Sequence, residues 1–438
     1  EQALEDSPEL FTNAAKKTEI DELATICYTS GTTGNPKGVM LAHRQIISEV
    51  VDVFDIMTVN ENDRSLTFLP FAHILARVEH FGSLYSGFCA AYAENIDRIR
   101  SNLLDVKPTF FAGVPRIFEK IYNGVITQAE VSPTKAKIFR WSVKIGKKVS
   151  QAKLQKKTLP PQTLIKYQIA KKLVFDKLAE KLGGRMRFAI SGGAPLSREI
   201  AEFFHAANLL ILEGYGLTET TAAVTLNSPY DYCFGTVGKP LGDVEIKIAE
   251  DGEILVKSDK VMMGYYNRND ANTEVFQDGY FCTGDIGEIT PTGFLRITDR
   301  KKDLIKTAGG KYVAPQKLEN LLKISKYISN VLIHGDNRKY IVALVTIEVG
   351  EVEKFARENG VTTKNKSELV GNATVQRLIR EEIARVNSQL ASYESIKNFA
   401  ILENDFTIES GELTPSLKVK RKFCDKKFSE ILDSLYHN

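Results

Sequence analysis

The chain of 438 residues carries 58 Lys and Arg against 55 Asp and Glu, a net charge of +3, with five cysteines and six histidines. This near balance excludes a strongly basic nucleic-acid-binding protein, and the length suffices for about two to four domain-sized units. The cysteines have neither disulfide nor metal-ligand spacing, and no apolar run reaches transmembrane length. We therefore expect a soluble cytoplasmic α/β protein without a signal peptide or a zinc site.

The stretch ICYTSGTTGNPKGVML, residues 26–41, is a strand-like run that enters a loop of glycines and hydroxylated residues around Lys37. The loop differs from the P-loop of nucleoside triphosphatases, because Pro36 precedes this lysine and Gly38 follows it. Backbone N–H groups, hydroxyls and a mobile charge suit phosphate binding, although an ordinary glycine-rich turn is the plain alternative. The predicted phosphate contacts are Thr29, Ser30, Gly31, Thr32, Thr33, Gly34 and Lys37.

Farther along the chain, helical and strand-like patterns alternate. Residues 43–57 have the apolar spacing of an amphipathic helix, and short buried strands are predicted within 64–73 and 108–115. Two further apolar runs, 184–197 and 209–220, each lead into a glycine loop. This alternation predicts parallel or mixed sheets with helices on their faces, and the glycine loops should gather around one crevice.

One segment, residues 135–181, is strongly basic, with fourteen Lys and Arg against Asp176 and Glu180. A basic amphipathic helix is predicted there, because its apolar residues at helical spacing are Ile138, Trp141, Ile145, Val149 and Ala152. A solvated basic face above a core-facing stripe explains the pattern simply. The alternative is peripheral contact with an anionic membrane, such as the inner membrane surface, where each basic side chain contributes about 1 kcal/mol.

From about residue 235 the pattern changes to short strands and turns. The segment 300–438 has strands of its own, a helix near 373–390 and a basic tail. We place a domain boundary at Asp299–Lys302, so that a large domain covers residues 1–299 and a smaller one covers 300–438.

Five short motifs follow one another along nearly the whole chain: YTSGTTGNPKGV (28–39), GYGLTET (214–220), TGDIGEI (283–289), DRKKDLIKTAGGKYVAP (299–315) and LTPSLKVKR (413–421). In this order and spacing they resemble the adenylation motifs of the AMP-forming acyl-CoA synthetase superfamily, which includes luciferases and peptide-synthetase adenylation domains. Each motif alone is moderately specific, whereas five in order are very specific. Residues 278–319 most resemble the long-chain fatty acyl-CoA synthetases.

The resemblance implies an α/β fold, with a large multi-subdomain N-terminal adenylate-binding domain of mixed sheets and a smaller, mobile α+β C-terminal domain. It implies that a fatty carboxylate attacks the α-phosphate of ATP, giving acyl-adenylate and pyrophosphate, after which the thiol of coenzyme A displaces AMP. ATP, Mg²⁺ and coenzyme A are the implied cofactors. Catalysis of the first half would be mostly positioning and electrostatics, and the loop at 28–39 would cradle the departing β- and γ-phosphates.

The resemblance also assigns roles to single residues. Tyr215 offers a flat face to adenine, Thr218 donates to the α-phosphate, and Glu219 is an oxygen ligand for Mg²⁺. Asp285 accepts from both ribose hydroxyls, and Lys418 reaches the oxyanion shared by carboxylate and α-phosphate. The other assignments are Gly192, Gly193 and Ala194 beside adenine and the acyl carbonyl, Gly216 as a further cofactor contact, Arg300 at ribose or phosphate, the hinge Lys302, Gly309 in the pantetheine tunnel, His73 at the acyl and adenylate pocket and Phe118 as an aromatic gate.

Simpler structural explanations remain for several of these residues, such as a helix-capping pair for Thr218 and Glu219 or a turn for Asp285. Two other functions also stay open: an acyl-AMP ligase that loads a carrier protein, and a non-catalytic adenylate- or lipid-binding relative. The last is disfavoured because the expected catalytic set is present, namely Lys37, Glu219, Asp285, Arg300 and Lys418.

The family normally carries a long segment before its phosphate loop, whereas 23 residues precede the predicted strand at Ala24. We therefore expect a missing N-terminal segment or a partner chain that completes the large domain. Fatty acid, ATP and coenzyme A are the expected substrates, and no nucleic-acid partner is expected.

Overall fold

The computed structural model describes residues 7, 9–29, 36–96, 98–414 and 417–437. Its α-helices are α1 (Leu10–Lys17), α2 (His43–Met57), α3 (Ile74–Ser86), α4 (Ile99–Val106), α5 (Pro115–Ala129), α6 (Pro133–Leu154), α7 (Pro161–Ala170), α8 (Asp176–Lys181), α9 (Arg198–Ala206), α10 (Asn269–Val275), α11 (Pro315–Leu322), α12 (Val349–Glu358), α13 (Lys366–Gly371), α14 (Ala373–Asn387), α15 (Arg421–Lys427) and α16 (Ser429–Ser434). A π-helical segment, Lys171–Phe175, joins α7 to α8, and a short 3₁₀ turn spans Thr218–Thr220.

The β-strands are β1 (Leu23–Tyr28), β2 (Gly38–Ala42), β3 (Arg64–Thr67), β4 (Cys89–Tyr92), β5 (Ala112–Gly113), β6 (Phe188–Ser191), β7 (Leu210–Tyr215), β8 (Thr225–Leu226), β9 (Lys239–Pro240), β10 (Glu245–Ile248), β11 (Glu253–Lys257), β12 (Gly264–Tyr265), β13 (Phe276–Gln277), β14 (Tyr280–Ile289), β15 (Leu295–Arg300), β16 (Ile305–Lys306), β17 (Tyr312–Val313), β18 (Ile328–His334), β19 (Ile341–Ile347) and β20 (Ile396–Ile401).

The prediction of mixed sheets is confirmed. In the sheet β5-β6-β7-β8-β9, the first three strands are parallel and the last two pairings are antiparallel. Strands β1, β2 and β12 form an antiparallel sheet, and β10, β11 and β13 to β15 form another. The short strands predicted within 64–73 and 108–115 are confirmed as β3 and β5, and Ser65 also forms a parallel bridge with Phe110.

The amphipathic helix predicted over 43–57 is confirmed as α2, whose inner face includes Val50, Val53 and Phe54. It packs against α3 at a glycine. A Cβ on Gly82 would lie 2.0 Å from the Phe54 ring, so this close helix contact requires a residue without a side chain.

The basic segment is helical as predicted, but its apolar stripe is only partly correct. Ile145, Val149 and Ala152 are buried, whereas Ile138 and Trp141 are more than one-third exposed. Ile138 lies on the same helix face as Ile145 but near the start of α6. Farther along, α6 lies close to its neighbours at Gly146, where a Cβ would lie 2.8 Å from the Phe175 ring and 2.9 Å from Ala206. The buried face is therefore centred on small residues, and the bulky side chains near the start of α6 stay outside.

In the C-terminal part, β18, β19 and β20 form a sheet in which β19 pairs with β18 antiparallel and with β20 parallel. Helices α11 and α14 pack on it around one hydrophobic core, and α15 and α16 border a second core on the other face. The helix predicted near 373–390 is confirmed as α14. Within the described residues, no helix has both the length and the apolarity needed to cross a membrane.

Candidate active site

A cavity of about 840 Å³ lies where β6, β7, β14 and their loops meet the segment that carries Lys418. Side chains from all five motifs reach it, which confirms that the glycine loops after β6 and β7 border one crevice. The predicted site residues that line it are Thr29, Lys37, His73, Gly192, Gly193, Tyr215, Gly216, Thr218, Glu219, Arg300, Lys302 and Lys418.

Other predicted residues lie elsewhere. Ala194 is exposed and Gly309 lies on an exposed turn after β16, and neither belongs to the cavity lining, so their roles remain predictions. Phe118 is buried in the N-terminal core and stacks on Phe111 at 5.5 Å between ring centroids, which favours a core role over a gate. The predicted loop residues Ser30, Gly31, Thr32, Thr33 and Gly34 lie outside the described residues.

The two ends of the phosphate loop are joined by hydrogen bonds. The Thr29 N–H donates to the Lys37 carbonyl at 2.9 Å, and the Lys37 N–H donates to Thr29 Oγ1 at 3.3 Å. The antiparallel pairing of β1 with β2 continues from this closure, with Tyr28 opposite Gly38. Lys37 is therefore held at the end of a hairpin and points its charge at the cavity.

Sequence reasoning missed Tyr265. Its hydroxyl donates to Glu219 Oε1 at 2.8 Å, and Lys37 Nζ lies 4.5 Å from its ring centroid. Burial and, secondly, the Glu219 carboxylate raise the Tyr265 pKa, so the phenol stays protonated and donates. Tyr265 reaches this place because β12 pairs with β2, setting Tyr265 opposite Val39. One ring thus orients both the lysine and the carboxylate.

Asp285 is 4% exposed and lies behind the residues that line the cavity. Its Oδ2 accepts from the Tyr215 hydroxyl at 2.7 Å, and its Oδ1 accepts from Arg300 Nε at 3.0 Å. The pairing of β14 with β15 sets Asp285 opposite Arg300. Burial and the Asp285 charge raise the Tyr215 pKa well above its usual value. The Asp285 carboxylate therefore fixes the positions of two residues that line the cavity, Tyr215 and Arg300.

Gly216 follows Tyr215 at a very close backbone approach. A Cβ at this position would lie 1.3 Å from the Ala222 carbonyl oxygen, so the turn after β7 requires glycine. The turn places Thr218 and Glu219 at the cavity directly after the strand.

Lys418 comes to the cavity from far along the C-terminal part, whereas Arg300 and Lys302 lie at its start. Burial and, secondly, the nearby Arg300 charge lower the Lys418 pKa to about 8, although Asp285 and Glu219 oppose the shift. Burial also lowers the pKa of His73, with Lys418 as the second cause, so this imidazole is neutral near pH 7. His73 Nδ1 accepts from the Leu75 N–H at 3.4 Å at the start of α3.

Beyond His73 the cavity wall becomes apolar, with Val53, Ile74, Val78 and Leu226 all more than nine-tenths buried. Glu49 lies among them and accepts from the Ala223 N–H at 2.6 Å. Burial raises the Glu49 pKa to about 8 even though Lys260 Nζ lies 3.3 Å away. The cavity thus has a polar, cationic end and an apolar end.

The residues at the polar end fit a magnesium nucleotide. The described residues contain no group of three metal-binding His, Cys, Asp or Glu side chains. Mg²⁺ in nucleotide sites is commonly held by one or two carboxylates together with substrate phosphates and water. Glu219, with one oxygen fixed by Tyr265, provides such a carboxylate, and Lys37, Arg300 and Lys418 provide charge for phosphates.

The sequence matches two family profiles: that of AMP-binding enzymes over residues 1–266 and that of the AMP-binding enzyme C-terminal domain over 302–438. A long-chain-fatty-acid–CoA ligase, FadD15 of Mycobacterium bovis, is 39% identical over 94% of this chain and 69% of its own length. The peroxisomal long chain acyl-CoA synthetase 6 of Arabidopsis thaliana is 33% identical over 95% of this chain, which spans 61% of that relative.

Solved structures share the fold. The adenylation domain of a carboxylate reductase from Mycobacterium chelonae has a TM-score of 0.73 at 26% identity, covering 96% of this chain and 61% of that one. O-succinylbenzoate coenzyme A synthetase of Bacillus subtilis, in complex with ATP and magnesium ion, has a TM-score of 0.64 at 23% identity, covering 92% of this chain and 70% of that one. The two sequence relatives, FadD15 and acyl-CoA synthetase 6, support an AMP-forming fatty acid–CoA ligase function. The chain belongs to the family of AMP-binding enzymes.

Proposed function

We propose that this chain activates a long-chain fatty acid with ATP, forming an acyl-adenylate and pyrophosphate, and then transfers the acyl group to coenzyme A. The observation that carries the proposal is the meeting of Lys37, Glu219, Arg300 and Lys418 around one cavity. Three cations and one carboxylate suit a magnesium triphosphate whose α-phosphate is under attack. The apolar end of the same cavity suits a hydrocarbon chain.

In this proposal each polar group has a distinct task. Lys37 holds the departing phosphates, Thr218 donates to the α-phosphate, and Glu219 holds Mg²⁺, which when bound neutralises phosphate charge. Arg300, held in place by Asp285, contacts the ribose, and Lys418 stabilises the oxyanion as the carboxylate attacks. The boundary at Asp299–Lys302 separates the part that binds the nucleotide from the part that brings Lys418 to it.

The test is fatty-acid-dependent AMP formation across chain lengths, with and without coenzyme A. We expect AMP release that requires a long-chain acid and rises when coenzyme A is added. AMP formation that ignores coenzyme A but requires a carrier protein would favour the acyl-AMP ligase. No AMP formation with any acid would contradict the proposal.

We also propose that the basic helical segment contacts anionic membrane. Four aliphatic side chains are exposed on α7 and the adjoining π-helical segment: Ile165 at 62%, Ile169 at 49%, Leu164 at 47% and Leu173 at 43%. The exposed Lys166 and Lys172 lie on the same segment. Aliphatic side chains flanked by lysines suit insertion at the headgroup level of an anionic bilayer.

We expect the chain to sediment with phosphatidylglycerol vesicles at low salt, to be released at high salt, and to bind phosphatidylcholine vesicles weakly. The reason is that exposed charges are screened over about 8 Å at physiological salt. Replacing Lys166 and Lys172 together by Glu should abolish sedimentation. The same double change at the exposed Lys247 and Lys257 is the matched control and should have no effect. Binding that is indifferent to lipid charge and salt contradicts the proposal.

A third proposal concerns an apolar surface formed by β1, α2 and α3. A cavity of about 460 Å³ lies there, and Ile47, Phe81, Leu84 and Tyr85 are each more than one-third exposed nearby. Large exposed apolar patches mark interaction sites. We propose that additional polypeptide, from the same protein or a partner chain, covers this surface.

Residues 1–438 alone should then self-associate, as measured by light scattering, because the apolar surface is exposed. The variant Leu84→Ser should self-associate less. A stable monomer with full activity would contradict the proposal that this surface is covered.

A further inference from the structure

The C-terminal part rests on α5 through a polar interface that no motif predicted. Arg116 Nη2 donates to Ser329 Oγ and to Glu348 Oε1, both at 3.0 Å. Thr127 Oγ1 donates to Glu351 Oε1 at 2.8 Å, near the other end of α5. The contacts span the whole length of the helix, so they fix an orientation as well as a point of contact.

The interface contains two cations that are mostly shielded from water. The side chains of Arg116 and Lys326 are 14% and 15% exposed. Lys326 forms an ion pair with Glu130 at the end of α5, and its Nζ lies 4.0 Å from Glu351 Oε2. Removing the partner of a shielded cation leaves that charge unpaired, which costs more than breaking a pair between exposed side chains.

Hydrogen bonds and hydrophobic packing within the C-terminal part connect the interface to the segment that carries Lys418. Ser329 lies on β18 and donates to Asp405 Oδ2 at 2.6 Å, and Asp405 Oδ1 accepts from Asn330 at 2.8 Å. Leu413 packs in the core beside β18 and β19 and forms a β-bridge with Val419. The Lys418 N–H donates to Thr414 Oγ1 at 3.1 Å. A rotation of β18 relative to α5 therefore moves the Lys418 ammonium group relative to the cavity.

We propose that Arg116, Lys326 and Glu130 are positioning residues for adenylation, which hold the C-terminal part where Lys418 enters the ATP cavity. This inference rests on the proposed function for its kinetic consequence. The interface itself involves no residue that lines the cavity, so its loss should act through Lys418 alone. Adenylation needs that lysine, whereas thioester formation from preformed acyl-adenylate does not.

The test uses the full chain with Lys326→Glu, Glu130→Lys and the double charge reversal. Each single change should slow fatty-acid-dependent pyrophosphate exchange about tenfold. Each should leave thioester formation from supplied acyl-AMP near wild type and increase the radius of gyration in small-angle X-ray scattering. The double reversal should recover much of the exchange rate and the compact form. Arg296→Glu, which breaks the exposed pair with Glu288, is the control and should change neither.

The inference would be overturned if both single variants kept the wild-type exchange rate and radius of gyration. It would also be overturned if the two half-reactions were slowed equally, or if the double variant were no more active than the single variants. Thr127→Val is a milder second variant that removes one interface hydrogen bond, should a charge reversal fail to fold. A wild-type chain without any exchange activity would contradict the proposed function. The scattering comparison would then still decide whether the pair holds the two parts together.

Discussion

Replacing Lys418 by Ala should slow acyl-adenylate formation by about 10²–10³-fold, the usual loss for one preorganised donor at a developing oxyanion. Thioester formation from supplied acyl-AMP should stay near wild type, because in that step the thiol attacks the acyl carbonyl and no bond to the α-phosphorus forms or breaks. The ammonium group lies in the cavity together with Arg300 and Glu219, so its charge is available where the carboxylate meets the phosphate.

The structure also selects Lys418 from a cluster of basic residues. Arg421 donates to Glu319 Oε1 at 2.7 Å and is committed to the core of the C-terminal part. Lys422 is exposed and does not line the cavity, which makes Lys422→Ala the matched control. Equal losses in both half-reactions for Lys418→Ala, or a comparable loss in Lys422→Ala, would contradict the assignment.

The pKa of Lys418 adds a pH dependence with a definite sign. Because burial lowers this pKa to about 8, the ammonium form is present below pH 8 and is lost as the pH rises through that value. The kcat/KM of adenylation, which reports ionisations of the free enzyme, should fall above about pH 8. Lys418→Arg keeps its charge at higher pH, so its residual activity should lack this fall.

The sequence predicted most of the cavity because its residues lie in loops that directly follow strands. Gly192 follows β6 and Glu219 follows β7, and the ends of neighbouring parallel strands must meet at one edge of a sheet. Lys37 is different, because its loop follows β1 in a separate antiparallel sheet. Its place beside Glu219 was implied by the resemblance of the motifs to those of a known family.

Tyr265 could not be predicted in this way. Its strand has two residues, and only the tertiary pairing of β12 with β2 brings its hydroxyl to Glu219. The exposure of Ile138 and Trp141 was missed for the same physical reason. Periodicity indicates that a helix has an apolar side, but tertiary packing, which is close at Gly146, decides over what length of the helix that side is buried.

The contacts of Asp285 were also hidden from the sequence, which predicted a ribose ligand but neither Tyr215 nor Arg300 as its partners. Arg300 reaches Asp285 through the register in which β14 pairs with β15. Tyr215 reaches it because β7 and β14, which belong to different sheets, meet at this point. The structure thus gives this carboxylate a second task, that of holding the cavity wall.

Replacing Asp285 by Ala should weaken ATP binding by at least about tenfold. The change releases the Tyr215 ring and the Arg300 guanidinium from the positions at the cavity wall in which the carboxylate holds them. A ribose hydroxyl that is buried in the complex without its acceptor costs about 1–3 kcal/mol of binding. Asp285→Asn keeps the shape and one acceptor oxygen, so its ATP affinity should lie between those of wild type and Asp285→Ala.

A comparison of ATP with 2′-deoxy-ATP separates the two tasks of this carboxylate. If Asp285 accepts from the ribose, wild type should bind 2′-deoxy-ATP more weakly than ATP, and Asp285→Ala should bind the two nucleotides about equally. Calorimetry on the four combinations gives the coupling between the carboxylate and the hydroxyl, because effects that act independently would add. If the losses of binding free energy from the substitution and from removal of the 2′-hydroxyl simply add, Asp285 only holds the cavity wall. An unchanged ATP affinity in Asp285→Ala would remove Asp285 from the site.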